Sequence, residues 1–577
     1  MVARTHVFVD DFKELVGSCV SFYEENKDKM SRERVRERRA KLSGFAEIFH
    51  KDCGTLTPSV EERIEDLRDG VGVVLMTAHQ PNFFAYSGVL RKATLNFVLA
   101  KKLEELLKVP VVSFFGIADQ DFTDDRWVRS CQLPAVQRSG GILSIDVKLP
   151  ERLMLNTVAK PSPDVLKKWG SEVEKWLDDA VRAVGRLCKA LGLPEVCSAD
   201  CVSTLRGNLM GFWGVVEGCY ERSENFSDFN AFLMSRIVND VWGYDTVFSR
   251  FSECQQAFVD EFGFLLSRFE DYSRLLREAK RMPRDKGVGG GVSDQESLLT
   301  PFWYHCDCGS KVKLFLVERD GFLFGEGSCV GCGEYYELEF GVKNGPDVSD
   351  FGSRMSARAI PVGLVFFGGL MPSCYVGGVG GMRYLMEAER VAEGLGIAFP
   401  PVVVWRPRDR YLGVGQMEAL LEVKRICKDL GAHDGSVAKD LLEGRICEIR
   451  ERLDELEASK KRVMEGLREH PDDGELKEEI RRISIGQTRF MKDSDLSVVS
   501  RELKILENVS VVLDLIPSVL DYAVNVGLKE TSDQWIEHLG EDGSFSSDVR
   551  LESVLSRVVS LNQGWWKDVS SAYRGLL

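Results

Sequence analysis

The run V-G-V-V-L-M (71–76), passing straight into T-A-H-Q-P-N-F-F (77–84), decides the fold of this chain. Six apolar, mostly β-branched or glycine residues read as a short buried strand, and a polar cluster closes it. A helical pattern follows to about Leu107, and then a second apolar run, V-P-V-V-S-F-F-G-I (109–117), ends in A-D-Q-D (118–121). Strand, loop, helix and strand of these lengths make a βαβ unit, which predicts a parallel sheet. Such sheets bind ligands at the carboxyl ends of their strands. Both polar clusters, 77–82 and 119–121, fall at those ends.

Similar runs recur downstream: G-L-V-F-F-G-G (363–369), Y-V-G-G-V-G-G (375–381), a helix to Leu395, and P-P-V-V-V-W (400–405). The expected organisation has N-terminal helices and half of an α/β core over 1–150, then a helical connecting subdomain over 151–292. The latter ends in the flexible joint K-G-V-G-G-G-V (286–292). A cysteine-rich module spans 300–343, the second half of the core 350–435, a coiled-coil hairpin 436–510 and a helical cap 511–577. The uncharged run Ala359 to Met382 holds seven glycines and two prolines. It reads as buried strands and tight turns rather than a membrane span.

At 577 residues the chain is too long for one core. Its 29 % charged and 44 % hydrophobic content excludes wholesale disorder. A net charge of -15 sets the overall field against a phosphate backbone, so nucleic acid is not an expected partner. Most of the 15 cysteines are scattered singly, as reduced buried thiols are, and the N-terminus M-V-A-R-T-H-V-F shows no secretory pattern. A cytoplasmic location follows as the expectation.

Leu442, Ile446, Ile449, Leu453, Leu456, Val463 and Leu467 repeat in steps of three and four among charged residues, which is a heptad seam. Pro471 to Gly474 is a turn, after which Leu476, Ile480 and Ile483 restart the pattern. An antiparallel helical hairpin is expected, serving as a dimerisation arm or packing on its own body.

Cys306-Asp307-Cys308 and, twenty residues on, Cys329-Val330-Gly331-Cys332 form two knuckles flanked by Gly309, Gly331 and Gly333. With a hairpin between them they predict a zinc ribbon, structural because four sulfurs leave no open position. The alternative is four unrelated buried thiols; His305 is a neighbour or a substitute ligand. Thr77, His79, Gln80 and Asn82 sit where strand meets helix, placed to meet an anion or to cap the helix. Asp119, Gln120 and Asp121 can orient an amine or hydroxyl, bind a metal, or cap a loop. Tyr375 with Gly377, Gly378 and Gly380 offers a close backbone approach without the spacing of a dinucleotide fingerprint. Arg383 and Tyr384 follow at a helix start.

Taken together these pieces resemble the bacillithiol-synthesis cysteine-adding enzyme family (BshC). The family's T-G-Q-Q, "apolar-P-V-V" strand and D-H-D-F loop have counterparts in T-A-H-Q (77–80), V-P-V-V-S-F-F (109–115) and D-Q-D-F (119–122). N-F-S-D-F-N-A-F-L-M-S-R-I-V-N-D-V-W-G-Y-D (225–245) resembles the helix before the family's G-x-Y-G turn. Y-V-G-G-V-G-G-M-R-Y (375–384) matches Y-V-G-G-P-G-E-I-x-Y, and P-P-V-V (400–403) follows at the right distance. The resemblance implies a Rossmann-like parallel-sheet core with an inserted helical subdomain and an antiparallel coiled-coil arm used for dimerisation. It also implies joining of cysteine to the amine of glucosaminyl-malate, with ATP or ADP bound. His79 and Gln80 would lie at the active-site corner, Asp119 and Asp121 on its wall, and the Gly377–Gly381 loop over it. Ala78 and His79, Gln120 and Gly381 depart from the family motifs, and the zinc ribbon is an addition, so the chain reads as a divergent branch.

A nucleotide-linked ligase joining an amino acid to a small amine is therefore the leading expectation, with catalysis by His79, Asp119 and Asp121. A non-catalytic dimeric assembly protein and an RNA-directed enzyme of class I nucleotidyltransferase likeness are the alternatives.

Overall fold

The computed structural model describes residues 9, 11–190, 195–281, 297–406, 408–540 and 543–559. Its centre is an open five-stranded parallel sheet of β1 (Val73–His79), β2 (Val111–Ile117), β3 (Val247–Arg250), β4 (Cys374–Val376) and β5 (Val402–Val403). The strands lie in the order β5-β4-β1-β2-β3, and every pairing is parallel. Alternate residues of each strand leave by opposite faces. Val73, Leu75, Val111 and Phe115 enter one apolar core, and Val74, Met76, Val112 and Phe114 the other. A sheet buried on both faces needs unbroken apolar strands, as the runs 71–76 and 109–117 show. Each of the two fully buried rings, Phe114 and Phe115, is worth about 2–3 kcal/mol by area removed from water.

The helix Ser87–Leu107 connects β1 to β2 and buries Val89, Leu90, Ala93 and Leu99 on the first face. The helix Met382–Leu395 connects β4 to β5 and buries Leu385, Ala388, Val391 and Leu395 on the second. Helices on opposite faces follow from right-handed crossovers that run outward in both directions from the centre. The order of strands reverses between β1 and β4, which leaves a crevice at their carboxyl ends.

Two expectations need correction. Within the run 359–382, Ala359–Leu370 is a buried helix, and strand structure is confined to Cys374–Val376. An apolar run without alternation does not separate buried strand from buried helix, and Pro361 falls in the first turn, where its missing N–H costs nothing. The region 151–292 is not purely a helical connector, because Val247–Arg250 pairs with β2 as an edge strand. Four residues are too few for a strand to announce itself. The joint 286–292 lies outside the described residues.

The helices Gly435–Glu469 and Gly474–Asp493 form the expected antiparallel pair, with Asp473 capping the second through its contacts to the amides of Glu475 and Leu476. Only the base of the seam, Leu442, Ile446 and Ile449, is fully buried; the second helix has no fully buried residue. A separate antiparallel sheet, in the order Met355–Ala357, Phe302–His305, Lys311–Arg319, Phe322–Cys329, Tyr335–Val342, carries the four cysteines at one end. No helix among the described residues is long and apolar enough to cross a membrane.

Candidate functional site

The carboxyl ends of β1, β2 and β4 open into one cavity of about 1060 Å³. His79, Gln80, Asn82, Gln120, Asp121, Tyr375, Gly377, Gly378, Gly380 and Tyr384 all line it. Three loops distant in the chain therefore converge on the crevice where the strand order reverses. The cavity is of a size that holds a cofactor-sized ligand or two smaller ones.

Three other predicted residues stand behind the wall. The Thr77 hydroxyl donates to the Val376 carbonyl at 2.7 Å and stitches β1 to β4. The Asp119 carboxylate is fully buried and accepts from the Ser252 amide at 2.8 Å and from the Ser252 hydroxyl. Burial pushes it up to about 7, against the pull of those two hydrogen bonds. The Arg383 guanidinium donates to Glu387 at 2.8 Å and reaches the Lys280 carbonyl. These side chains hold the loops; they do not face the cavity.

His79 ends β1. Its Nδ1 lies 3.1 Å from the Gln80 carbonyl oxygen and its Nε2 3.4 Å from the Tyr86 hydroxyl. Burial, with the nearby Lys92 charge adding to it, brings His79 down to about 3, so the ring is neutral at physiological pH. Gln80 donates to Asp121 at 3.0 Å, bridging the ends of β1 and β2.

Lys92 escaped the sequence reading. It lies in the second turn of the helix after β1, is 6 % exposed, and donates to the Ala78 carbonyl at 3.0 Å. A methyl group on Gly378 would come 3.5 Å from its Nζ, so the glycine loop closes directly over the ammonium. Burial lowers Lys92 to about 7. Arg91, Lys92, Thr94 and Asn96 are all buried on this helix, a burial set by the segments packed against it. Lys311 of the antiparallel sheet also lines the cavity and is lowered to about 8, mainly by burial. The pattern K-V-K gave no reason to separate it from Lys313. Tyr86, Trp127, Trp303 and Trp405 add flat apolar surface to the lining.

At the end of the antiparallel sheet the sulfurs of Cys306, Cys308, Cys329 and Cys332 lie within 4.8 Å of one another, an arrangement able to hold a metal ion. Cys306 and Cys332 are 3.6 Å apart, and Cys308 and Cys329 3.5 Å. Gly309 and Gly333 take φ of 85° and 80°, the left-handed turns that let each knuckle fold back. His305 is not part of the cluster; its Nε2 lies 3.0 Å from the Ser356 hydroxyl. The first knuckle touches the crevice loops through the backbone. Met154 N donates to Gly309 O at 2.8 Å, Leu155 N to Asp121 O, and Asn156 N to Asp119 O.

Compared with known proteins, the chain matches no family model and no curated protein.

Proposed function

We propose that the chain is a divergent bacillithiol-synthesis cysteine-adding enzyme, a nucleotide-linked ligase. It would join an amino acid, cysteine first among them, to a small amine such as glucosaminyl-malate in the cytoplasm. The observation that carries the reading is the meeting of Lys92, the Gly377–Gly381 loop, His79 and Asp121 in one cavity at the reversal point of a Rossmann-like sheet. Lys92 supplies positive charge that forms no ion pair among the described residues, and the glycine loop brings backbone over it; both suit the phosphates of ATP or ADP. His79, neutral, donates or accepts a hydrogen bond without adding charge. As the C–N bond forms, the attacking amine passes a proton to Asp121 and the activated carboxyl sheds its phosphate-bearing leaving group. Asp119, fixed by Ser252, acts by holding the loop that carries Asp121.

A zinc ribbon is the finer reading of the cysteine module. Four sulfurs around Zn²⁺ at about 2.3 Å stand about 3.8 Å apart, close to the spacings seen here. The Gly331 amide donates to Cys329 Sγ at 3.4 Å, as suits a thiolate. Cys306, Cys308, Cys329 and Cys332 would hold the ion, which supplies rigidity. The half-buried outer seam of the helix pair, with Ile485 and Met491 exposed, fits an arm that pairs two copies as a coiled coil. Light scattering on a chain lacking the tips of these two helices is expected to show monomers where the full chain shows dimers.

The reaction is tested by mixing protein, ATP, cysteine and glucosaminyl-malate and searching for the condensed thiol by mass spectrometry. Product that disappears in Asp121→Asn and Lys92→Met bears the proposal out. Absence of both product and ATP consumption with every amine tried defeats it.

A further inference from the structure

The cysteine module contributes to the crevice as well as flanking it, and the groups it brings are unusual. Lys311 is 3 % exposed. Its ammonium stands 4.9 Å from the Phe122 ring centroid and 5.9 Å from that of Trp303, and among the described residues it forms no hydrogen bond or ion pair. Asp121 is close enough to raise the proton affinity of Lys311 but forms no ion pair with it. Gln120 is 2 % exposed, and its side-chain carbonyl oxygen has no partner. All three residues line the same cavity beside the two aromatic rings.

A buried ammonium with no ion-pair or hydrogen-bond partner and a buried carbonyl without a donor are costly, and a ligand that pairs with both relieves that cost. The charge pattern restricts that ligand. A simple anion would satisfy Lys311 and be repelled by Asp121, whereas a simple amine would do the reverse. A molecule bearing carboxylate and ammonium on one carbon satisfies both, and the aromatic walls strengthen both attractions by excluding water.

We propose that Lys311, Asp121 and Gln120 form the subsite for a free α-amino acid in its zwitterionic form. The carboxylate meets Lys311, and the ammonium lies between Asp121 and the Gln120 carbonyl oxygen. The inference rests on the ligase reading and adds which corner of the cavity selects the amino acid and that the module after Cys308 supplies half of the selection. Lys92 and the glycine loop are left for the phosphates.

Calorimetric titration of the full, metal-loaded chain with the common α-amino acids, in the absence of ATP and amine, tests the subsite. At least one amino acid, L-cysteine first among them, is expected to bind at millimolar concentration or below. Lys311→Met should weaken it by about tenfold or more, as loss of a charged hydrogen bond does. The same substitution should leave binding of that amino acid's methyl ester within about twofold, because the ester has already lost the charge Lys311 reads. Asp121→Asn should weaken the amino acid but not its deaminated analogue. Lys311→Arg keeps the charge and should restore most of the affinity, and thermal unfolding of each variant reports whether it is folded.

The subsite is overturned if no free amino acid binds, if folded Lys311→Met binds like the unaltered chain, or if ester and acid bind that chain equally. Product formation with an amino-acid KM unchanged in Lys311→Met sinks the subsite and leaves the ligase. Lys311-dependent amino-acid binding in a chain that consumes no ATP does the opposite.

Discussion

The two walls of the crevice are built in different ways. On the parallel-sheet side, His79, Gln80, Gln120 and Asp121 continue directly from buried strands, so the core that fixes β1 and β2 also fixes them. On the module side, Trp303 and Lys311 come from a second sheet far along the chain. Their position depends on how that sheet docks: through Gly309 on Met154, and through the Ser310 hydroxyl on the Arg152 carbonyl at 2.5 Å. The first wall is fixed by the strands themselves, and the second by the apolar core that the module shares with the parallel sheet together with the cysteine cluster.

The sharpest way to break this contrast is to remove a sulfur. If the cluster holds zinc as proposed, Cys329→Ser, or a strong chelator, is expected to cost roughly 5 kcal/mol or more, read as a lower melting temperature with loss of the metal by elemental analysis. Amino-acid affinity should fall with it while ATP affinity persists. An unchanged melting temperature would mean that the module stands on its apolar core alone.

Next in size is Asp119→Ala, which strands the half-buried Ser252 amide and hydroxyl and is expected to cost about 2–3 kcal/mol in urea unfolding. Asp119→Asn probes the same group through pH. Its folded value is raised from 3.8 to about 7, so the folded chain keeps a proton that the unfolded chain has released. This contribution is complete below about pH 3.8 and is lost as pH rises through 7. The slope of stability against pH over that window should flatten in Asp119→Asn.

Lys92→Met should separate function from stability on the first wall. The folded value is lowered from 10.5 to about 7, so the unfolded chain binds the extra proton between these limits and wild-type stability climbs as pH rises through them. Removing a buried charge that the fold does not pair should raise the melting temperature by roughly a few degrees at neutral pH and abolish ATP binding. Loss of stability would show the ammonium to be structural. The smallest effect is expected from Thr77→Val, about 1 kcal/mol for one lost hydrogen bond to Val376, with catalytic parameters unaltered.

Much of the first wall was legible in the sequence, because strand ends carry their loops with them: finding V-V-L-M and V-V-S-F-F located His79 and Asp121. The same reasoning could not tell Asp119 from Asp121. Which of two carboxylates two residues apart faces the cavity was decided by Ser252, which follows β3, a strand too short to be foreseen. Arg383 was misplaced for a related reason, since its direction is set by Glu387 one turn away and by the end of another helix. The spacing of Cys306, Cys308, Cys329 and Cys332 sufficed for the cluster because two knuckles and a hairpin close locally, with little chain to order between them.

By itself, then, the amino-acid order determined the parallel sheet, the sulfur cluster and the helix pair, all of which arise from periodicity or short-range closure. Tertiary packing alone decided that Lys92 and Lys311 lose water and that Lys313 keeps more of it, and that a helix rather than strands fills 359–370. Burial is a property of what lies opposite a residue, and for these positions the opposing surface comes from segments far away along the chain.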